Sequence, residues 1–152
     1  MTEQLNKKIV ELESFILKGD KKNSKVSEKG TYWHIDHSLQ ILSEISKILK
    51  DSDPNDFKPK FSLSKLIIMN SGYIPRGKGR APKQTLPQKE KSKEELLLQL
   101  ENVKIKVASL DTLEKNKTFR HPLFGWLDLK DTIKFMGIHT QHHIKIMRDI
   151  VK

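Results

Sequence analysis

The chain has 152 residues, 36% of them hydrophobic and 32% charged, a formal net charge of +10 and no cysteine. That length holds one domain with one core, the apolar residues recur periodically enough to exclude a disordered chain, and no apolar run approaches the roughly 20 residues of a membrane helix. The absence of cysteine excludes disulfides, thiolate metal ligands and a cysteine nucleophile.

The first segment, Met1 to Lys8, reads as the start of an amphipathic helix rather than a signal peptide, so a cytoplasmic protein without a membrane partner is expected. Leu5, Ile9, Leu12, Phe15 and Ile16 follow a 3.6-residue period and predict a helix over 2–18, with Thr2 as N-cap and Gly19 as stop. Lys21 to Gly30 is a polar connection. A second helix is expected from about Tyr32 to Lys50, with Ile41, Ile45 and Ile48 on its inner stripe and Leu42 and Leu49 beside it, ending before Pro54. Residues 62–71 predict a short helix with Leu63, Leu66, Ile67 and Met69 inward and Gly72 as C-cap. Ser92-Lys-Glu-Glu95 is a capping-box signature, and it opens a helix through Leu96, Leu97, Leu100, Val103, Val107 and Leu110 to about Lys115. Phe119 to Trp126 reads as an aromatic turn, and no strand is expected. Asp128 caps a last helix to Val151, whose inner side carries Leu129, Thr132, Ile133, Met136, Met147 and Ile150. The economical fold for residues 1–152 is all-α: a single four-helix bundle with a long basic connection between the second and third long helices.

That connection concentrates the charge. Lys58 to Lys93 holds ten basic residues and one acid, Glu90, whereas the remainder has 19 basic and 18 acidic residues. Arg76, Lys78 and Arg80 are interleaved with Pro75, Gly77, Gly79 and Pro82, the composition of a mobile basic loop. Such a loop can be solvated charge, a receiver of an anionic ligand, or a phosphate binder. Tyr73 is the only aromatic residue near its basic cluster, which argues against nucleic acid as the partner.

Five of the six histidines fall in two clusters, Trp33-His34-Ile35-Asp36-His37 and His139-Thr140-Gln141-His142-His143. On a helix, His139 and His143 differ by about 40° and lie about 6 Å apart along the axis. They share a sector with Thr132, Met136 and Ile150, so both point to the core. His37 lies beside Ile41 and Ile48, near the inner sector of the second helix. Burying one imidazole is ordinary when its nitrogens are hydrogen-bonded. Three on two facing helices predict a divalent metal site, because a cation uses the acceptor nitrogen of each. His34, His121 and His142 fit supporting or surface positions. Thr140 follows His139 where a zincin has Glu, and no Glu-x-x-His occurs for a di-iron site. A three-histidine site leaves positions open for water or substrate, the arrangement of catalytic centres.

The N-terminal amphipathic helix, Trp33-x-x-x-His37 at a helix start and the final His139-x-x-His142-His143 resemble the DinB/YfiT-like superfamily. The His121-Pro122-Leu123-Phe124-Gly125-Trp126 segment before the last helix resembles one of its uncharacterised subfamilies. The resemblance spans essentially the whole chain. It implies a four-helix bundle holding a divalent metal on one histidine of the second helix and two of the last, which map to His37, His139 and His143. It also implies either transfer to a low-molecular-weight thiol of the glutathione, bacillithiol or mycothiol type, or metal-dependent hydrolysis.

The expectation is therefore a metal-dependent enzyme acting on a small-molecule substrate. Zn²⁺, Ni²⁺ or Fe²⁺ would lower the pKa of a bound thiol or water. Arg76, Lys78 and Arg80 would receive the anionic substrate or thiol, and His142 would serve as a nearby acid or base. A non-catalytic metal-binding module is the alternative, followed by nucleic-acid association through the basic loop. A homodimer remains open.

Overall fold

A computed structural model describes residues 1–77, 79 and 81–152, and it is mostly helical. Five α-helices occur among the described residues: α1 (Glu3–Leu17), α2 (Thr31–Asp51), α3 (Leu63–Ser71), α4 (Lys93–Ser109) and α5 (Leu129–Ile150). The four long helices enclose one core, with α2 and α1 each packing against both α4 and α5. Each brings the apolar stripe its periodicity predicts: Leu5, Ile9, Leu12 and Ile16 from α1; Ile41, Leu42, Ile45 and Leu49 from α2; Leu96, Leu100, Val103 and Val107 from α4; and Ile133, Met136, Met147 and Ile150 from α5, to which Ile144 adds itself. Ile48 departs from the expected stripe and faces solvent.

Helix ends are held partly by local chemistry and partly across the fold. Ser92 and Glu95 form the reciprocal capping box at α4, and Asp128 accepts from the Asp131 N–H at α5. Thr2 does not cap α1 with its side chain. It donates instead to Asp111, beyond the end of α4, and so ties the two helices together. At α2 the N-cap is Gly30, which has no side chain to offer, and Asp20 accepts the Tyr32 N–H at 3.1 Å in its place. A Cβ on Gly30 would lie 2.7 Å from Asp20 Oδ1, so a side chain here would displace the carboxylate that caps α2.

Two expectations are corrected. α3 begins at its Ser62 cap and ends at Gly72, where φ is +65°, but it turns a different face inward. Met69 is buried and Ile68 packs on the core, while Leu63, Leu66 and Ile67 face solvent. α3 contacts the core mainly through α5, so only one side of it finds apolar neighbours. The aromatic turn, in turn, is a β-hairpin. β1 (Thr118–His121) pairs antiparallel with β2 (Gly125–Asp128), with Phe119 opposite Leu127 and Arg120 opposite Trp126. Four-residue strands are too short to show a two-residue period, and a side chain helps close this turn. His121 Nδ1 accepts the N–H groups of both Leu123 and Phe124 at 3.0 Å, and Gly125 supplies φ +73°. The His121 ring stacks on Phe124 with centroids 4.0 Å apart and meets Phe135 edge-on, giving the imidazole a structural role.

Described residues of the basic connection are tied to the bundle at three points. Arg76 pairs with Asp149 of α5 at 2.8 Å, and a single 3₁₀ turn, Lys83–Thr85, buries Thr85 against α2. Lys91, just ahead of α4, donates at 2.8 Å to Asp36, a buried carboxylate on α2 that also accepts from Gln40 and Gln99. Among the described residues, no helix is long and apolar enough to cross a membrane.

Candidate metal centre

α2 and α5 pack side by side, and their contact brings His37 against His139 and His143. The ring centroids lie 5.2 Å apart for His37–His139, 4.9 Å for His37–His143 and 4.7 Å for His139–His143. One nitrogen from each ring lies within 4.8 Å of the other two, so the trio could hold a metal ion. The i, i+4 spacing on α5 produces one edge of this triangle, and the packing of α2 produces the other two. His37 and His143 are buried, while His139 is half-buried and gives the cluster its exposed side.

The hydrogen bonds around the trio select tautomers. A carbonyl oxygen can only accept, so His37 Nδ1 donates to the Thr85 carbonyl at 2.8 Å and keeps its lone pair on Nε2. His143 Nδ1 lies 2.9 Å from His34 Nδ1, and His34 Nε2 lies 3.0 Å from Ser27 Oγ. If His143 Nδ1 donates to His34, then His34 Nε2 donates to Ser27 and His143 Nε2 is free to bind a cation. The reverse order puts a proton on His143 Nε2. Outward partners of this kind orient metal-ligating histidines. His139 Nδ1 is sealed from solvent and has no hydrogen-bond partner, one of two such buried side-chain atoms among the described residues. A buried imidazole nitrogen without a partner is costly, and a cation is one partner that would satisfy it.

Electrostatics hold the trio in the ligating form. Burial lowers the pKa of His37, opposed by its bond to Thr85 and the charge of Asp36. Burial and the neighbouring imidazoles press His139 and His143 well below the ordinary histidine value. Burial, with His37 and His142 nearby, brings His34 to about 4. All four are therefore neutral at pH 7, the state a metal requires.

The other expected site residues divide. His142 lies at the edge of the cluster, its ring 5.0 Å from that of His143. With Arg76, Lys145, Tyr73 and Ile74 it lines a cleft of about 40 Å³. Burial lowers its pKa, the Ile74 carbonyl opposes this, and Arg76 and Lys145 add to the lowering. Arg76 thus reaches the neighbourhood of the site, whereas Lys78 and Arg80 lie outside the described residues. Among the described residues, the connection's contribution to the trio itself is the main-chain carbonyl of Thr85.

Sequence reasoning missed Thr85, Ser27 and the stacking of Trp33 on His37 at 5.3 Å. His34 had a legible signal, since it precedes His37 by three residues and so neighbours it on the helix surface. Nothing near Thr85 or Ser27 in the sequence marks either. No protein-family model matches the chain, and no curated protein or solved structure is significantly similar to it.

Proposed function

We propose that His37, His139 and His143 bind one divalent metal in a DinB/YfiT-like four-helix bundle, and that the protein is a metal-dependent cytoplasmic enzyme. The observation that carries the reading is the convergence of three neutral imidazoles, two with outward nitrogens engaged and the third with a sealed, unpartnered Nδ1. A bound divalent cation would supply Lewis acidity, lowering the pKa of a thiol or of water at its open position.

The chain's own residues divide the remaining work. Thr85 and the His34–Ser27 pair orient the ligands. An open coordination position beside the half-buried His139 would make the site a catalytic rather than a closed structural one. Arg76 and Lys145 present positive charge beside His142, a receptor for an anionic group on the substrate or thiol. His142, neutral and at the rim, is placed to take up a proton there. Arg76, Lys78 and Arg80 together would draw in a polyanionic thiol, and the chain has no sulfur nucleophile of its own. This favours thiol transfer over hydrolysis.

The test is the consumption of an electrophile such as a chloroarene or a maleyl compound, with glutathione, bacillithiol or no thiol, and with or without chelator. Turnover that needs both thiol and metal supports transfer. Chelator-sensitive cleavage of an ester or amide without thiol points to hydrolysis. Bound metal without either activity points to a metal-binding module.

A further inference from the structure

The outward face of α3 is the least explained surface of the molecule. Leu63, Leu66 and Ile67 are 59%, 51% and 56% exposed. Their i, i+3, i+4 spacing places them on one face. Phe61, two residues ahead of the helix, is 84% exposed, and Tyr73, two residues past its end, is 57% exposed. The helix is not loosely attached. Met69 is buried on its inner side, and Lys65 pairs with Asp131 of α5 at 3.1 Å. The fold therefore holds five large apolar side chains outward on one short element and its flanks.

The segment that carries this face is basic, although Lys65 and Arg76 are paired with Asp131 and Asp149 of α5. From Phe57 to Lys83 the sequence contains seven Lys or Arg residues and no Asp or Glu. Lys58 and Lys60, immediately before Phe61, are exposed and have no ion-pair partner among the described residues. A second copy of the chain seated on this face would oppose like charge with like charge. An occupant that is both apolar and negative satisfies the two halves of the surface together.

We propose that α3 and its flanks dock on the surface of an anionic lipid bilayer. Phe61, Leu66 and Ile67 enter the headgroup–acyl boundary, and Lys58 and Lys60 meet the lipid phosphates. Nine helical residues span about 13 Å, less than half of the roughly 30 Å hydrocarbon core, so the helix lies in the interface and does not cross it. The side chains lie on a single short helix and its leading segment, beside the exposed Lys58 and Lys60, the combination of apolar and basic groups that an anionic bilayer complements. The proposal is independent of the metal centre.

The experiment is cosedimentation of the full chain with vesicles of phosphatidylcholine alone, or of phosphatidylcholine with about one-third phosphatidylglycerol, at low and high salt. The expected result is binding to the anionic vesicles only, weakened by salt. Each basic side chain near such a surface is worth about fivefold in partition, so Lys58→Glu/Lys60→Glu should lose at least about tenfold. Phe61→Ser/Leu66→Ser/Ile67→Ser should lose a comparable factor with an unchanged thermal midpoint. Phe61→Ser alone, which lies outside the helix, should still lose measurable binding if the triple variant proves unstable. Equal partition to neutral and anionic vesicles, or none to either, overturns the proposal. So does wild-type binding by the serine variants, which would leave the basic charge acting alone. A lipid-free wild-type dimer that the triple variant converts to monomer overturns it in favour of a second copy on this face.

Discussion

His34 Nδ1 and His143 Nδ1 lie 2.9 Å apart, across 109 residues of sequence, and only one of the two nitrogens can carry the proton between them. Metal binding through His143 Nε2 requires that proton on His143, with His34 passing its own donor on to Ser27. Removing the acceptor should therefore weaken binding without removing a ligand. His34→Ala is expected to lower metal affinity by about 10- to 100-fold, and Ser27→Ala by less. Chelator competition at constant pH reads this, with stoichiometry still one per chain at saturation. Unchanged affinity in both variants would separate the His34 chain from the metal.

The ligands themselves should behave differently. Replacing His37, His139 or His143 by Ala should each lower metal occupancy in elemental analysis of purified protein. His121→Ala, whose ring closes the hairpin turn instead, should leave occupancy unchanged. Full occupancy in the His139→Ala protein would place the metal elsewhere.

Acid should act through the hairpin. Burial pushes the His121 pKa from 6.5 down to about 4, and its Nδ1 must stay unprotonated to accept two N–H groups. A depressed histidine pKa means the folded state favours the neutral form. Its contribution is fully present above pH 6.5 and is lost as pH falls through about 4. In metal-free protein, His121→Asn should flatten the decline of the unfolding free energy from urea titrations over this window by on the order of 1–3 kcal/mol. Parallel declines in the two proteins would show that the turn does not depend on the neutral ring.

Asp36 is buried and Lys91 is its only cationic partner among the described residues, with Gln40 and Gln99 completing its bonds. Lys91→Met leaves the carboxylate buried without a countercharge and should cost about 3 kcal/mol. Denaturant unfolding checks this. Adding Asp36→Asn should restore part of the loss, because the charge is then gone.

Arg76 is half-exposed in its pair with Asp149, a setting in which an ion pair contributes less than about 1 kcal/mol. Neutralising Arg76, Lys78 and Arg80 together should thus raise KM for an anionic substrate by more than tenfold, while the unfolding midpoint moves little. A large fall in the midpoint would make the segment a structural strap rather than a receptor.

The local features of this protein are legible because they depend on residues within one or two turns of each other. The 3.6-residue stripes of α1, α4 and α5, the Ser92–Glu95 capping box, the Gly72 stop and the shared sector of His139 and His143 all follow from helix geometry alone. Even the neighbourhood of His37 follows, once two helices with inward imidazoles must share a core. Tertiary structure decided the rest. α3 has apolar residues on more than one face, and only its docking against α5 determined that Met69 would be buried and Leu66 exposed. The hairpin depends on His121 reaching the turn ahead of it, an interaction with no periodic signature. The tautomers at the candidate metal centre depend on Thr85 and His34, whose partners lie 48 and 109 residues away, and no local pattern encodes a hydrogen bond across that separation.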